Sequence, residues 1–286
     1  MPSAIGWPFC MKIEFTKMTG AGNDFVVIDN RNGYIQDGPG FARIVCERHF
    51  GVGADGLLLL EKSEKADFRM MYYNADGSYG GMCGNGGRCI AQFAFIKGIA
   101  GVEQSFEALD SIYKAAVSVE VVELRMKDPS ELRIGVMLPT STGTILCNFI
   151  DTGAPHVVII LTNDAPGRPG LSSIDVVRIG REIREHEEFH PDGTNVNFVK
   201  REGVNRISIR TYERGVEAET LACGTGSVAT AVVAAELGLV KAPVEVQVKS
   251  QSVLMVEFEK DGAGRYGGVK LRGPAVAVFS GVIELP

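Results

Sequence analysis

Short runs rich in β-branched, aromatic and leucine residues alternate along this chain with glycine-rich turns. Runs at 12–15, 24–29, 56–60, 68–73, 117–125, 132–137 and 157–161 predict strands, because such residues pack well on a pleated surface and turn formers bound them. Helical spacing is rarer and predicts helices at 40–48, 86–97, 173–184 and 224–236, the last filled with small and apolar residues. Beyond residue 192 strands resume at 196–200, 206–212, 244–248, 254–259 and 276–283. The pattern is α+β with much sheet.

The second half echoes the first. Phe68-Arg69-Met70-Met71-Tyr72-Tyr73 leads through polar residues to Met82-Cys83-Gly84-Asn85-Gly86, and Ile207-Ser208-Ile209-Arg210-Thr211-Tyr212 leads to Ala222-Cys223-Gly224-Thr225-Gly226. Both read strand, polar loop, Cys-Gly-x-Gly, helix. The steps from Tyr73 to Cys83 (10) and from Tyr212 to Cys223 (11) are nearly equal, as expected of two related lobes that place equivalent cysteines. A length of 286 residues suits two medium domains. The turn-forming Asp128-Pro129-Ser130 marks a boundary, giving an extension at 1–10, an N-terminal lobe at 11–130 and a C-terminal lobe at 131–275.

Composition narrows the partners. A formal charge of -6 and no basic cluster argue against nucleic acid, and no apolar run is long enough for a membrane helix, so a small-molecule partner is favoured. Residues 1–10 lack the basic and apolar regions of a secretory signal, which predicts a cytoplasmic protein. Cysteines at 10, 46, 83, 89, 147 and 223 form no CxxC pair and no spacing of a zinc site, so thiols are expected and no metal. Gly51-x-Gly53 lacks the third glycine of a dinucleotide fingerprint, and Gly84-x-Gly86 runs into Gly87-Arg88 instead of a P-loop lysine.

Cys-Gly-x-Gly at a helix start places sulfur beside unpaired backbone N–H groups and the positive end of the helix dipole, where thiolate is favoured over thiol. One such cysteine on its own is most simply a packing residue or a nucleophile. Two equivalent ones suit a task with two-sided symmetry: inversion of a stereocentre without a cofactor, in which one group takes the α-proton from one face and a second delivers a proton to the other. Cys83 and Cys223 fit those roles, and their titrations would be coupled. A Cys83–Cys89 redox pair is geometrically awkward within a helix start, and Cys10, Cys46, Cys89 and Cys147 read as structural.

Four blocks in order closely resemble the diaminopimelate epimerase family: Lys17-Met18-Thr19-Gly20-Ala21-Gly22-Asn23-Asp24-Phe25, Gly51-Val52-Gly53-Ala54-Asp55-Gly56, Tyr73-Asn74-Ala75-Asp76-Gly77-Ser78 before Cys83, and Tyr212-Glu213-Arg214-Gly215 before Cys223. The similarity extends over nearly all of residues 11–286. It implies a fold of two structurally similar lobes, each a β-rich sheet wrapped around a central helix, with the active site in the cleft between them and the last strand, about 276–286, joined to the first lobe. It implies interconversion of LL- and meso-diaminopimelate without pyridoxal phosphate or any other cofactor, in lysine and peptidoglycan precursor synthesis, by a homodimer. Cys83 and Cys223 match the family's catalytic pair. Asn23, Asn74, Gly84, Asn85, Asn195, Glu213, Arg214, Gly224 and Thr225 match its substrate-binding positions, while His156 matches a thiol-tuning histidine and Glu213 is a second group able to tune Cys223.

Elementary chemistry agrees: a substrate with two ammonium-carboxylate ends needs an arginine fork and many neutral donors. Asn74 and Asn195 also suit turns, Arg214 a surface ion pair with Glu213 or Glu217, and His156 a turn cap. His49, His186 and His190 read as surface or structural. One departure stands out: Ala154 precedes Pro155-His156 where many members carry asparagine, which removes a side-chain ligand for the distal end of the substrate. The alternatives are a proline or hydroxyproline racemase with the same proton chemistry and a smaller substrate, and a non-catalytic binding relative.

Overall fold

The computed structural model describes residues 11–119, 121–141, 143–161 and 170–285; residues 1–10, including Cys10, lie outside these. In chain order the elements are β1 (Met11–Gly20), β2 (Asn23–Asp29), α1 (Gly38–Val45), β3 (Gly56–Glu61), β4 (Phe68–Asn74), α2 (Gly84–Ile96), β5 (Glu103–Ala108), β6 (Ser111–Val117), β7 (Val122–Arg125), β8 (Ser130–Thr140), β9 (Gly143–Asp151), β10 (Pro155–Ile160), α3 (Val176–Arg184), β11 (Asn195–Arg201), β12 (Arg206–Glu213), β13 (Ala218–Thr220), α4 (Gly224–Glu236), β14 (Val244–Gln247), β15 (Val253–Lys260), β16 (Tyr266–Gly273) and β17 (Val276–Leu285). Contacts divide them into two compact units, one running to Val122 and resuming at Ala275, the other Glu123–Pro274. This is a sheet-dominated α+β fold.

In the first unit β17 pairs antiparallel with β1, β1 with β2 and β3 with β4, while β2–β3 and β4–β5 are parallel and β5–β6 closes as an antiparallel hairpin. Parallel neighbours cannot be joined by a tight turn, and α1 and α2 supply the two crossovers. The second unit repeats the scheme: β8–β9 and β9–β10 antiparallel, β10–β11 parallel across α3, β11–β12 antiparallel, β12–β14 parallel across α4, and β14–β15 antiparallel. Both cysteine helices are thus second crossovers, each entered from the strand ahead of it.

Burial explains the helices. Gly84 through Ala94 of α2 are all buried, as are Gly226 through Ala234 of α4, so each is enclosed by strands of its own unit. Leu57 and Leu59 of β3 join the cluster against α1, while Leu58 on the opposite face lies against Gly86 of α2. Among the described residues no helix is long and apolar enough to cross a membrane.

The structure corrects several expected elements. The single strand at 117–125 is not continuous: β6 ends at Val117 and β7 begins at Val122, with Ser118 N–H bonded to the Val121 carbonyl between them. β5 and β9 escaped the hydrophobic pattern because buried polar residues interrupt them: Gln104 and Glu107 in β5, and Asn148 in β9, whose amide serves Gly135 N–H and the Val158 carbonyl. α1 starts at Gly38 and stops at Val45, since Asp37 caps it by accepting from Gly40 N–H; α3 starts only at Val176, after the Asp175 cap.

α3 lies so close on β12 that a Cβ at Gly180 would stand 2.4 Å from the Tyr212 Cβ. Alanine gains up to about 1 kcal/mol in helix propensity, but forced overpacking typically costs about 1–3 kcal/mol. Gly180→Ala is therefore expected to destabilise the protein by roughly 1 kcal/mol, read as a lower urea midpoint at unchanged slope; an unchanged or higher midpoint would show that the contact yields freely.

Candidate functional site

In the first unit Cys83 is the N-cap of α2, in extended backbone (φ -116°, ψ 123°), and its Sγ accepts from Gly86 N–H at 3.5 Å. The β1–β2 hairpin turns through Ala21 (φ 58°) and Gly22 (φ 108°), the positive pair that a tight two-residue turn demands. A Cβ at Gly20 would come within 2.9 Å of the Asn85 carbonyl, so the hairpin end sits directly on the first turn of α2. Close approach lets Asn85 Nδ2 donate to Asn23 Oδ1, while Asn23 Nδ2 donates to Asp55 Oδ2 at 3.2 Å.

Asp55 is held in turn. Arg48 Nη2 reaches Asp55 Oδ1 at 2.8 Å and Asp24 Oδ1 at 3.1 Å, and Lys17 Nζ lies 2.7 Å from Asp24 Oδ2. Burial alone would raise the Asp24 carboxyl, but its bonds to Lys17 and Arg48 keep it below the ordinary range. At the other end Arg88, fully buried, donates to Asn85 Oδ1 at 2.7 Å and to the Gly84 carbonyl at 3.2 Å. Lys17, Asp24, Arg48, Asp55 and Arg88, none of them among the expected ligands, therefore form the frame that orients Asn23 and Asn85. The readable signal was Arg88 as the one charged residue of α2. Asn74 stands apart from this network: its side chain accepts from the Tyr72 hydroxyl at 2.7 Å and donates to Ser78 Oγ at 2.9 Å, fixing the loop ahead of Cys83.

In the second unit Cys223 is the N-cap of α4 in nearly the same backbone state (φ -121°, ψ 115°), accepting from Gly226 N–H at 3.4 Å. Thr225 Oγ1 lies 3.5 Å from its sulfur and 2.9 Å from Nε2 of His156, which is completely buried on β10. Burial, with the Arg214 charge nearby, pushes His156 down to about 3, so the imidazole is neutral. Asn195 Oδ1 accepts from the Arg214 backbone N–H at 2.9 Å and its Nδ2 donates to the Pro155 carbonyl at 3.0 Å, which fixes the turn that carries Arg214. Burial raises the Glu213 carboxyl. The ion partner of Glu217 is Arg184, at 2.9 Å, and Arg214 Nη1 instead reaches the Asp192 carbonyl at 3.3 Å. Thr225 and His156 are thus joined to Cys223, and Asn195 to Arg214.

Burial lifts Cys46, Cys89 and Cys147 each to about 12, the environment of structural thiols. His49 is exposed beside Glu47, while His186 and His190 bond to the carbonyls of Pro139 and Glu185. Among the described residues no group of three or more His, Cys, Asp or Glu side chains could hold a metal ion.

The family model described as Diaminopimelate epimerase matches residues 15–131 and 148–278. The chain belongs to the diaminopimelate epimerase family. It is 48% identical over 272 residues to the diaminopimelate epimerase of Chlorobaculum tepidum, covering 94% of this chain and 100% of that one. It is 41% identical to that of Aquifex aeolicus, covering 94% and 97%. Among solved structures, a phenazine biosynthesis protein of the PhzF family from Bacillus anthracis shares the fold with TM-score 0.72 at 14% identity, covering 96% of this chain and 100% of that one. A hydroxyproline epimerase from Agrobacterium vitis shares it with TM-score 0.69 at 17% identity, covering 98% and 94%.

A buried neutral histidine carries a pH signature. Its folded-state value lies below the ordinary 6.5, so the unfolded chain takes up a proton that the folded chain refuses. Stability is therefore expected to decline as pH falls from about 6.5 toward 3, and His156→Gln should remove that part of the slope in urea titrations. Parallel pH profiles for the two proteins would contradict the assignment.

Proposed function

We propose that this chain is an isomerase that interconverts LL- and meso-diaminopimelate without a cofactor, serving lysine and peptidoglycan precursor synthesis. Cys83 and Cys223 are the two acid/base groups, one thiolate and one thiol in each catalytic state. The observation that carries the reading is the repetition: two units of one strand scheme each begin the helix of their second crossover on a cysteine N-cap whose sulfur accepts from the amide three residues on. Sequence identity to proteins named diaminopimelate epimerase supplies the substrate.

The chemistry follows from the parts. Proton removal from an amino-acid α-carbon leaves charge that delocalises into the α-carboxylate, and helix-start amides such as those of Gly84 and Gly224 are suited to receive it. Asn23, Asn85, Asn195 and Thr225 offer neutral polar groups, Arg214 a fork for a carboxylate, Asn74 a support of the loop, and Glu213 a partner for ammonium or for the Cys223 thiol. His156 acts on Cys223 through Thr225. A homodimer in the cytoplasm, the form the family resemblance implies, completes the reading.

Cys83→Ser and Cys223→Ser are each expected to cut epimerisation at least about a hundredfold, the usual scale of general acid–base catalysis, while leaving the fold intact by circular dichroism. In D2O the newly formed epimer should carry deuterium at the inverted carbon. Near-normal turnover in either variant would defeat the two-thiol mechanism, and conversion of proline but not of diaminopimelate would transfer the chain to the racemase alternative.

A further inference from the structure

Behind His156 the hydrogen-bond chain of the second unit continues through Asn197 to Thr211. Asn197 lies two positions after Asn195 on β11 and is completely buried. Its Nδ2 is 3.0 Å from the Val157 carbonyl oxygen, which only accepts, so that end of the amide must be nitrogen; the oxygen end receives the Thr211 hydroxyl at 2.9 Å. The same Nδ2 approaches His156 Nδ1 at 3.1 Å, which makes that ring nitrogen the acceptor. A neutral imidazole then bears its hydrogen on Nε2, facing Thr225 Oγ1 at 2.9 Å. With its oxygen accepting from the ring, the Thr225 hydroxyl has its own hydrogen left for Cys223 Sγ, 3.5 Å away.

We propose that Asn197 and Thr211 are positioning residues that hold His156 as its neutral Nε2–H tautomer and so aim the Thr225 hydroxyl hydrogen at the Cys223 sulfur, favouring thiolate there. The inference rests on the reading of Cys223 as an acid/base group and specifies how that group is tuned. It also sets a limit: His156 cannot take the Cys223 proton through Thr225, because Nε2 is already occupied. The histidine adjusts the acidity of the thiol and is not its base. Gly226 fits the same picture, since a Cβ there would stand 2.5 Å from Asn197 Oδ1 and 3.2 Å from Cys223 Sγ. The ionisable groups on the surrounding strands are Cys147 and Asp151 on β9, His156 on β10, Lys200 and Arg201 on β11, and Arg206, Arg210, Tyr212 and Glu213 on β12 with Arg214 next after it; Cys223 caps α4.

Two measurements on the substrate-free protein test this. Ring 15N spectra, with His156 assigned by its loss in His156→Gln, should show a pyridine-like Nδ1 and a pyrrole-like Nε2, unchanged between about pH 6 and pH 9. Iodoacetamide labelling of Cys223, followed by peptide mass spectrometry against pH, should shift its midpoint up by about one pH unit in Thr225→Val and in Asn197→Leu, a tenfold loss of thiolate below the midpoint. Thr225→Ser should restore the original midpoint, and a merely structural role for Asn197 would lower the melting temperature without moving the midpoint. A pyrrole-like Nδ1 in the unmodified protein, or an unmoved midpoint in Thr225→Val, overturns the proposal even where Asn197→Leu fails to fold. Neither readout involves turnover, so failure of the substrate assignment would appear only in the epimerisation assay and is distinguishable from failure here.

Discussion

A sulfur atom capping a helix is the constraint on which this structure turns. Ser, Thr, Asp and Asn are the strong N-caps, and replacing one by a residue without a cap typically costs about 1 kcal/mol. The chain uses such caps on its outer helices, Asp37 on α1 and Asp175 on α3, and gives the two central helices cysteine instead. Those helices can carry a weak cap because enclosure by strands holds them: burial of a single Val, Leu, Ile, Phe or Met side chain contributes about 1.5–3 kcal/mol, more than the cap difference, and α2 and α4 bury nearly every residue. A helix start so held is also a favourable place for an anion, whether thiolate or carboxylate.

The two units share backbone and differ in polar dress. Counting from each cysteine, Asn85 corresponds to Thr225, Gly86 to Gly226 and Arg88 to Val228, and both of the last pair are fully buried. Where one helix buries a guanidinium, the other buries an isopropyl group at the equivalent position. Around Cys83 the frame is ionic and reaches Lys17 and Arg48; around Cys223 it is a neutral relay of imidazole, carboxamide and hydroxyl groups. Inversion is symmetric only at the carbon that inverts. The remainder of an amino acid differs from face to face, so the two-thiol mechanism proposed above calls for unequal surroundings around equal thiols.

The sequence showed the Cys-Gly-x-Gly repeat, most strands and the four helices because those rest on local spacing and periodicity. It hid what depends on partners distant in the chain. Gln104, Glu107 and Asn148 are buried polar residues inside strands and spoil the alternation by which a strand is read, and their compensation, such as the Asn148 bond to the Val158 carbonyl, exists only after folding. Arg88 looked like part of a failed P-loop until Asn85 and Gly84 were seen to hold it. Asn197 was nearer to legibility: Asn195 and Asn197 sit two apart on a strand and must share a face, so naming one should have raised the other.

Ala154 shows why backbone position and side-chain supply need to be separated. The turn that contains it is fixed without it: Asp151 Oδ1 accepts from Gly153 N–H at 2.7 Å, Thr152 N–H bonds to the Ala154 carbonyl at 3.1 Å, and Thr152 Oγ1 donates to the Thr225 carbonyl at 3.1 Å. Gly153, at φ 95°, provides the backbone state that the turn needs. A longer side chain at 154 is thus not required to hold the loop against α4, and its loss leaves His156 and Thr225 anchored. Against the asparagine that the resemblance leads one to expect there, alanine gives up one polar group and nothing of the scaffold. In the reading proposed above, recognition of the distal end of a substrate falls to groups that the turn does not carry, and Arg214, whose own turn is pinned by Asn195, is the charged fork assigned to it.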